Sequence, residues 1–181
     1  MGGCGTGYGA VLHVLEIILF TRKGCANMIA LANDHAGVGL KLAIAKYLED
    51  AGLAYTDFGT HSNESCDYPV YALKAASAVA SGEHEKGILI CGTGVGIGMA
   101  AGKVKGIRCV VCSEPYSARL SREHTNSNML CLGARVVGEG LALMIVREWL
   151  AASFKGGRHA LRLEQVARIE EGWHIDFPPP G

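Results

Sequence analysis

The 181-residue sequence has no excess of charge of either sign, because 17 lysines and arginines balance 17 aspartates and glutamates. A protein that binds nucleic acid or an anionic membrane through its overall field carries a clear positive excess. The balance argues against both classes of partner, so any basic site in this chain must be local. The length is that of one domain with a single hydrophobic core.

The chain also lacks a hydrophobic run long enough to span a bilayer. The apolar stretch at residues 10–20 is interrupted by His13 and Glu16, whereas a spanning helix needs about 20 apolar residues. Positive residues follow this stretch, although in a secretory signal they precede the apolar segment. We therefore interpret residues 1–27 as a dispensable extension to a domain that begins at Met28.

No disulfide framework is visible in the spacing of the seven cysteines, whose number is odd. Scattered cysteines of this kind are typical of reduced thiols and therefore of a cytoplasmic protein. Cys109 and Cys112 form a CxxC pattern, but they lie in an apolar run that predicts a strand. Residues three apart on a strand face opposite sides and lie about 10 Å apart. We therefore expect neither a shared metal nor a disulfide from this pair.

Strand and helix signals alternate from Met28 onward. Apolar runs bounded by turn residues predict strands, and periodic segments ended by glycine predict helices. The predicted strands are residues 28–32, 53–58, 87–90, 107–112 and 129–132. The predicted helices are residues 38–51, 68–81, 95–103, 113–122 with Ser113 as the N-cap, 138–152 and 157–171. Residues 173–181 form a proline-rich tail.

This alternation predicts an α/β protein, a three-layer sandwich around a five-stranded parallel sheet. We expect the Rossmann-like, flavodoxin-like strand order 2-1-3-4-5. No internal repeat or low-complexity linker divides the chain, so residues 28–172 are predicted to form one domain. In such sheets a ligand binds beyond the carboxyl ends of the strands, where the strand order reverses. That point lies between the first and third strands.

The third predicted strand ends in Cys91, and glycines follow at positions 92, 94, 96 and 98. Backbone amides that no side chain obstructs can close around an anion, and a helix begins over this loop. A thiol at a helix start is favoured as a thiolate. Cys91 is therefore a candidate base or nucleophile, while a tight turn with a buried cysteine is the simpler interpretation of the same residues.

The first predicted strand ends in two polar residues, Asp34 and His35. The expected strand order places them across the crevice from Cys91, which favours the catalytic interpretation of the cysteine. Two simpler interpretations stay open. Asp34 can cap the helix that follows it, and His35 can be a surface histidine in a loop.

Five short motifs follow one another between residues 28 and 171. They are Asn-Asp-His-Ala-Gly (33–37), Cys-Asp-Tyr-Pro (66–69), Cys-Gly-Thr-Gly-Val-Gly-Ile-Gly (91–98), Cys-Ser-Glu-Pro-Tyr-Ser-Ala (112–118) and Gly-Gly-Arg-His (156–159). In their order and spacing they resemble the type B ribose-5-phosphate isomerases, in the cysteine-containing branch of that family. The family also includes allose-6-phosphate and galactose-6-phosphate isomerases. The resemblance does not cover residues 1–27 or the proline-rich tail.

The resemblance implies an aldose–ketose isomerase of the pentose phosphate pathway. It would interconvert ribose 5-phosphate and ribulose 5-phosphate through an enediolate, without metal or cofactor. Cys91 matches the base that moves a proton between C1 and C2, and His124 matches the residue that helps to open the sugar ring. Asp34, His35 and Tyr68 match sugar-contacting residues. The cradle for the enediolate oxygens corresponds to Gly92, Thr93, Gly94, Val95 and Gly96. The residues that bind chiefly the phosphate correspond to Arg135, Arg158 and Arg162.

One position departs from the family pattern. The family usually has asparagine after the ring-opening histidine, whereas this chain has Thr125, and a hydroxyl cannot reproduce the two-ended contact of an amide. The change can weaken binding or shift the sugar preference, unless Asn126 compensates. The resemblance also implies a homodimer, or a dimer of dimers, with sites shared between subunits. In that arrangement His124 and Arg135 would face the partner's Cys91.

Other functions remain open at this point. An isomerase of another sugar phosphate, such as allose 6-phosphate, is motivated by Thr125. A non-catalytic sugar-phosphate binder is disfavoured because both Cys91 and His124 are present. A nicotinamide-dependent dehydrogenase fits poorly, because its glycine loop would follow the first strand rather than the third.

Overall fold

The computed structural model describes residues 28–173. The interpretations given above for residues 1–27, and for the tail beyond Trp173, concern residues outside this range. The strands are β1 (Ile29–Asn33), β2 (Tyr55–Asp57), β3 (Lys86–Cys91), β4 (Cys109–Val111) and β5 (Met129–Gly133). The helices are α1 (Val38–Asp50), α2 (Tyr68–Ala80), α3 (Val95–Ala101), α4 (Pro115–Thr125), α5 (Glu139–Ala151) and α6 (Arg158–Glu170).

All four pairs of neighbouring strands are parallel, and helices cover both faces of the sheet. Large side chains such as Leu31, Ile88 and Trp149 fill the core between the sheet and α1, α4 and α5. Small alanines and Ile97 dominate the other core, beneath α2 and α3. The predicted three-layer α/β architecture with a five-stranded parallel sheet is confirmed.

The predicted order of the last two strands is wrong. The sheet runs β2-β1-β3-β5-β4, so that β5 lies inside and β4 forms an edge. Crossovers between parallel strands are right-handed, so the face on which a helix lies fixes the direction of its connection across the sheet. Helix α4 packs on the same face as α1, and the chain therefore steps back from β4 to β5 as it does from β1 to β2. The burial of the two strands agrees with this order, because all residues of β5 are buried whereas Val111 at the end of β4 is exposed.

The N-cap of α4 also differs from the prediction. Glu114, not Ser113, caps the helix, because its carboxylate accepts hydrogen bonds from the backbone N–H groups of Ser117 at 2.7 Å and Tyr116 at 2.6 Å. The bonds from Ser117 hold the pKa of Glu114 below its ordinary value. A carboxylate at this position also offsets the positive end of the helix dipole.

The expected placement of Cys109 and Cys112 on opposite faces of the sheet is confirmed. Cys112 belongs to the core beneath α4, and Cys109 lies in the opposite core with its sulfur 3.1 Å from that of Cys131. Burial raises the pKa of Cys112 to about 12. All five cysteines in the described part of the chain are free thiols. Within residues 28–173, no helix combines the length and the hydrophobicity that crossing a membrane requires.

Candidate active site

The carboxyl ends of β1, β3 and β5 meet at one edge of the sheet. Cys91 pairs with Gly133 across β3 and β5, and the N–H of Asp34 donates to the carbonyl of Ile90 at 3.1 Å. Strands β1 and β3 are therefore direct neighbours where the strand order reverses. The correction at β4 and β5 leaves this crevice unchanged, because it concerns only the far side of β3.

The thiol of Cys91 lies beneath a glycine loop, which we define as residues 92–96. The backbone N–H of Gly94 donates to the Cys91 sulfur at 3.1 Å, and Cys91 is 4% exposed. Gly94 has a φ of +79°, a left-handed conformation that bends the loop back over the thiol and that side chains with a Cβ rarely adopt. Hydrogen-bond donors hold anionic acceptors more strongly than neutral ones. The geometry therefore gives the Cys91 sulfur a fixed hydrogen-bond donor.

The glycine loop packs directly on the end of β5. A Cβ at Gly133 would lie 2.7 Å from the carbonyl carbon and oxygen of Thr93, which leaves no room for any larger residue. The N–H groups of Ala134 and Arg135 donate to the carbonyls of Cys91 at 2.9 Å and Gly92 at 3.0 Å. Backbone contacts on both sides therefore fix the shape of the loop.

Two predicted site residues lie against the same loop. The Tyr68 ring lies 2.7 Å from the point that a Cβ of Gly96 would occupy, and the Arg135 guanidinium lies 3.4 Å from the corresponding point at Gly92. The expectation that Arg135 faces the partner's Cys91 differs from this placement. The turn after β5 is hydrogen-bonded to the loop, and it therefore holds Arg135 beside the glycine loop of its own chain.

Asp34 and His35 both have partners in the structure. Asp34 is buried, and its Oδ1 accepts a hydrogen bond from the N–H of Ala36 at 2.9 Å. The capping interpretation is therefore confirmed, with a short 3₁₀ turn (His35–Gly37) placed before α1. His35 is half-buried, and its Nδ1 accepts a hydrogen bond from the N–H of Cys66 at 3.2 Å.

The remaining predicted residues lie on α4 and α6. The rings of His124 and His159 are stacked, with centroids 4.2 Å apart and planes inclined by 6°. Arg158 and Arg162 are exposed on the same helix as His159, and neither forms an ion pair with another described residue. Desolvation and the positive charges of His124 and the two arginines lower the pKa of His159 below its ordinary value.

The structure does not bring His124 to Cys91 within one chain. His124 lines a different cavity, of about 720 Å³, that lies between β4, α4 and α6. No hydrogen bond or ring contact joins it to the glycine loop among residues 28–173. The predicted residues therefore form two groups. The loop half-site contains Cys91, the glycine loop, Asp34, His35, Tyr68 and Arg135. The helix half-site contains His124, Thr125, Arg158 and Arg162, together with His159.

Thr125 does not offer its hydroxyl proton to a ligand. Its Oγ1 donates to the carbonyl of Ser121 in the preceding helical turn at 2.6 Å. The amide oxygen of Asn126 is also engaged, because it accepts a hydrogen bond from the Arg122 guanidinium at 3.1 Å. Asn126 therefore serves as a left-handed C-cap of α4, with its amide oxygen held by Arg122.

The profile of the Ribose/Galactose Isomerase family matches residues 29–166. The chain belongs to this family. It is 55% identical to ribose-5-phosphate isomerase B of Escherichia coli over 143 residues, which are 79% of this chain and 96% of that protein. Two solved structures are also similar. That of ribose-5-phosphate isomerase B from Clostridium thermocellum has 54% identity and a TM-score of 0.79, covering 80% of this chain and 98% of that one. That of the Mycoplasma genitalium enzyme with bound ribulose-5-phosphate has 39% identity and a TM-score of 0.76, covering 80% and 96%.

Membership of the Ribose/Galactose Isomerase family confirms the resemblance, but three site residues were not assigned from the sequence. His159 stacks on His124, Cys66 bonds to His35, and Gly133 supports the glycine loop. His159 and Cys66 lie in two of the motifs given above, and this was the feature of the sequence that could have identified them. Gly133 follows an apolar strand with no local sign of its packing. The described residues contain no cluster of three or more histidine, cysteine or acidic side chains able to hold a metal ion.

Proposed function

We propose that this family member is an aldose–ketose isomerase that interconverts ribose 5-phosphate and ribulose 5-phosphate. The observation that carries the proposal is the position of the Cys91 thiol. It is buried where the strand order reverses, and a backbone N–H of the glycine loop donates to its sulfur. The names of its relatives support the choice of sugar. A sugar carbon that must lose a proton next to a carbonyl needs a base and a site for negative oxygen, and this arrangement offers both.

The reaction balances without an external oxidant or reductant. The Cys91 thiolate removes the C2 proton of the open-chain aldose, and the electron pair moves through C1 onto the aldehyde oxygen, which gives an enediolate. A proton then passes from the C2 hydroxyl to the C1 oxygen. The C2 carbonyl forms as C1 takes a proton from the Cys91 thiol. One base therefore suffices, provided that C1 and C2 both lie within its reach.

The glycine loop stabilises the negative oxygens of the intermediate in this mechanism. Its amides are aimed before the substrate arrives, because backbone bonds to Ala134 and Arg135 already fix the loop. Loss of one good donor to an oxyanion typically raises a barrier by about 3–4 kcal/mol. Burial of the thiol also keeps water from competing for the proton.

The helix half-site supplies ring opening and phosphate binding in this proposal. Arg158 and Arg162 are one helical turn apart and therefore share a face, and a guanidinium matches the geometry of a phosphate. Since no described carboxylate neutralises them, they are free to bind a dianion. His124 donates a proton to the ring oxygen as the cyclic sugar opens.

We propose that the two half-sites meet in a homodimer. Within one chain His124 lines a cavity that does not include Cys91, and a second copy would bring a ring-opening residue to the partner's Cys91. Exposed apolar side chains on α3 and β4 support such contact, among them Val95, Met99 and Val111. Burying them would remove apolar surface that a monomer leaves in water.

We also propose a cytoplasmic location, a role in the pentose phosphate pathway, and sufficiency of residues 28–172. Free thiols at all five described cysteines support the first point, and the proposed substrate supports the second. The family match supports the third, because it begins at position 29.

A side-by-side isomerisation assay tests the proposed function. Ribose 5-phosphate, allose 6-phosphate and unphosphorylated ribose are compared, and the ketose products are followed in deuterated water. We expect conversion of ribose 5-phosphate, with C1 of the product receiving chiefly the proton that Cys91 removed from C2 and little deuterium from the solvent. Faster conversion of allose 6-phosphate would favour the alternative sugar. Binding of all three compounds without conversion would favour the non-catalytic binder.

A further inference from the structure

Residues 58–67 connect β2 to α2 without forming a helix or strand, and their end reaches the loop half-site. The backbone N–H of Cys66 donates to Nδ1 of His35 at 3.2 Å, and the Cys66 sulfur lies 3.9 Å from the same nitrogen. The backbone N–H can only donate, so Nδ1 must accept. In the neutral ring the proton then sits on Nε2. The segment therefore determines which nitrogen of His35 can donate a hydrogen bond.

A buried lysine anchors the start of this segment. Lys41 on α1 is 1% exposed, and its ammonium lies 2.7 Å from Oδ2 of Asp57 and donates to the carbonyl of Thr60 at 2.8 Å. The other oxygen of Asp57 accepts the N–H of Gly59 at 2.8 Å. The charge pair thus holds the chain at three successive points as it leaves β2.

Short side-chain-to-backbone bonds continue from this anchor toward the histidine. The hydroxyl of Thr60 accepts the N–H of Ser62 at 3.1 Å, and the hydroxyl of Ser62 accepts the N–H of Glu64 at 3.1 Å. Backbone N–H groups of Phe58 and Thr60 bond to the carbonyls of Leu31 and Asn33 in β1, and beyond Thr60 the side-chain bonds set the turns of the segment. Hydrogen bonds therefore run from Lys41 to Glu64, two residues before Cys66, whose own N–H bonds to His35.

A gain in stability is a weak explanation for the lysine. Lys41 lies on the apolar stripe of α1 with Ile44 and Leu48, at positions i, i+3 and i+7. Replacing a buried ion pair by apolar residues is often neutral or stabilising, because removing two charges from water is costly. A buried ammonium at this position is better explained by the geometry that it imposes on residues 58–67.

We propose that Lys41 is a positioning residue, which holds His35 with its Nε2–H directed as a donor toward an oxygen of the sugar. The ammonium acts through residues 58–67 and does not touch the substrate. The proposal rests on the proposed function, since that function names what His35 donates to. It adds a residue outside the crevice to those that determine how the substrate is bound.

Nitrogen NMR tests the tautomer without any turnover. The protein is labelled with ¹⁵N-histidine, and long-range correlation spectra report which ring nitrogens carry protons; His35→Gln assigns the signals. We expect an unprotonated Nδ1 and a protonated Nε2 at His35. In Lys41→Met we expect averaging between the two tautomers. Lys46→Met is the matched control, because Lys46 is an exposed lysine of the same helix paired with Asp50.

Two results would overturn the proposal. One is a protonated Nδ1 at His35 in the wild-type protein. The other is an unchanged tautomer in Lys41→Met. If this variant does not fold, Lys41→Met/Asp57→Asn replaces it, because the double variant removes both charges while keeping an acceptor for Gly59.

Kinetics then test the donor role. His35→Gln places an amide N–H near the position of Nε2, whereas His35→Asn places polar atoms only near Nδ1. We expect kcat/KM to be about tenfold higher for the glutamine variant, which is the effect of one hydrogen bond. We also expect Lys41→Met to raise KM about tenfold, with a smaller change in kcat. Equal activities of the two His35 variants would refute the donor role. Absence of sugar isomerisation in the wild type would instead refute the proposed function and leave the tautomer result standing.

Discussion

The loop half-site and the helix half-site differ in the part of the chain that forms them, which is backbone in one and side chains in the other. The first uses backbone, since its shape follows from strand ends and from glycines that leave no space for a Cβ. The second uses side chains on two helices. Helix α6 has no buried residue, and beside α4 it is held by a stacked histidine pair and by the ion pair of Lys155 with Glu123 at 2.6 Å. That ion pair lowers the pKa of Glu123.

This difference separates what one chain can complete from what it cannot. The loop half-site is packed against its own sheet, so its geometry exists before any substrate or partner arrives. The helix half-site presents two exposed guanidinium groups, which form no ion pair with another residue in the described range, and a half-buried histidine pair. Changes in the loop half-site should therefore affect both stability and chemistry. Changes in the helix half-site should affect binding and leave the fold intact.

Removal of the Cys91 thiol should have the largest effect. Cys91→Ala leaves a methyl group that fills part of the space but cannot accept a proton, and a general base typically contributes a factor of about 10² to 10⁴. We expect turnover to be abolished while phosphate binding persists, measured by isomerisation assay and calorimetric titration. Cys112→Ala is the control, since Cys112 is a buried thiol in the opposite core. Residual activity above about a tenth of wild type would remove Cys91 from this role.

Mixing two inactive variants tests whether the half-sites belong to different subunits. Cys91→Ala damages only the loop half-site, and His124→Ala damages only the helix half-site. If each site is shared, a mixed dimer has one site with both parts intact. An equal mixture exchanged at random should recover about a quarter of wild-type activity, because half of its dimers are mixed. No recovery despite subunit exchange, followed by native mass spectrometry, would mean that both halves act within one chain.

Loss of a phosphate ligand should have an intermediate effect. Arg158→Ala or Arg162→Ala removes a charged hydrogen bond that contributes about 1.5–3 kcal/mol, which corresponds to a ten- to hundredfold rise in KM. Some loss of kcat is also expected, because the phosphate helps to position C1 and C2. Arg168→Ala on the same helix is the control, since its guanidinium pairs with Glu164.

Unphosphorylated ribose decides whether these arginines bind phosphate. With ribose, the arginine variants and the wild type should behave alike, because the group that the arginines bind is missing. A difference as large as that seen with ribose 5-phosphate would assign Arg158 and Arg162 to a solvated basic surface instead.

A methyl group placed on the support of the loop should lower stability as well as activity. Gly133→Ala puts a Cβ 2.7 Å from the backbone of Thr93, which cannot move as a flexible side chain can. Overpacking of this kind costs about 1–3 kcal/mol, measurable by denaturant unfolding. Gly140→Ala is the matched control, because a Cβ there meets nothing within 4 Å. Equal stability of the two variants would show that the loop adapts and is not fixed by packing.

Local sequence was sufficient to place Asp34, His35 and Cys91 at one edge of the sheet, whereas Tyr68 and Arg135 were assigned by resemblance. Asp34, His35 and Cys91 each follow directly on an apolar strand, and parallel strands bring their carboxyl ends to one edge. The order of β4 and β5 was not predictable in the same way, because it depends on which face of the sheet α4 covers. That choice is made by packing between distant segments, and no short motif records it.

The helix half-site shows a second limit of local sequence. His124 and the arginines were assigned by resemblance, whereas the stacking of His159 depends on how α6 returns to α4. Arg135 was expected to face a second subunit, yet two backbone bonds after β5 hold it beside its own loop. Such contacts arise from the turn geometry at the end of β5, which the residue types alone do not specify.

The substitution with the smallest expected effect is at Thr125, where the chain departs from the asparagine that is usual in the family. The Thr125 hydroxyl is bonded to its own helix, so Thr125→Asn would add an amide that reaches past the end of α4 without breaking a contact to other elements. We expect KM for ribose 5-phosphate to fall about three- to tenfold, as for one added hydrogen bond, with an unchanged melting temperature because the position is exposed. Thr125→Val, which keeps the shape and removes the hydroxyl, should leave KM unchanged, since that hydroxyl does not face the ligand. A rise in KM for Thr125→Val would show that the threonine itself contacts the sugar. A shift of the asparagine variant toward ribose 5-phosphate and away from allose 6-phosphate would place the choice of sugar in the helix half-site and not in the loop half-site.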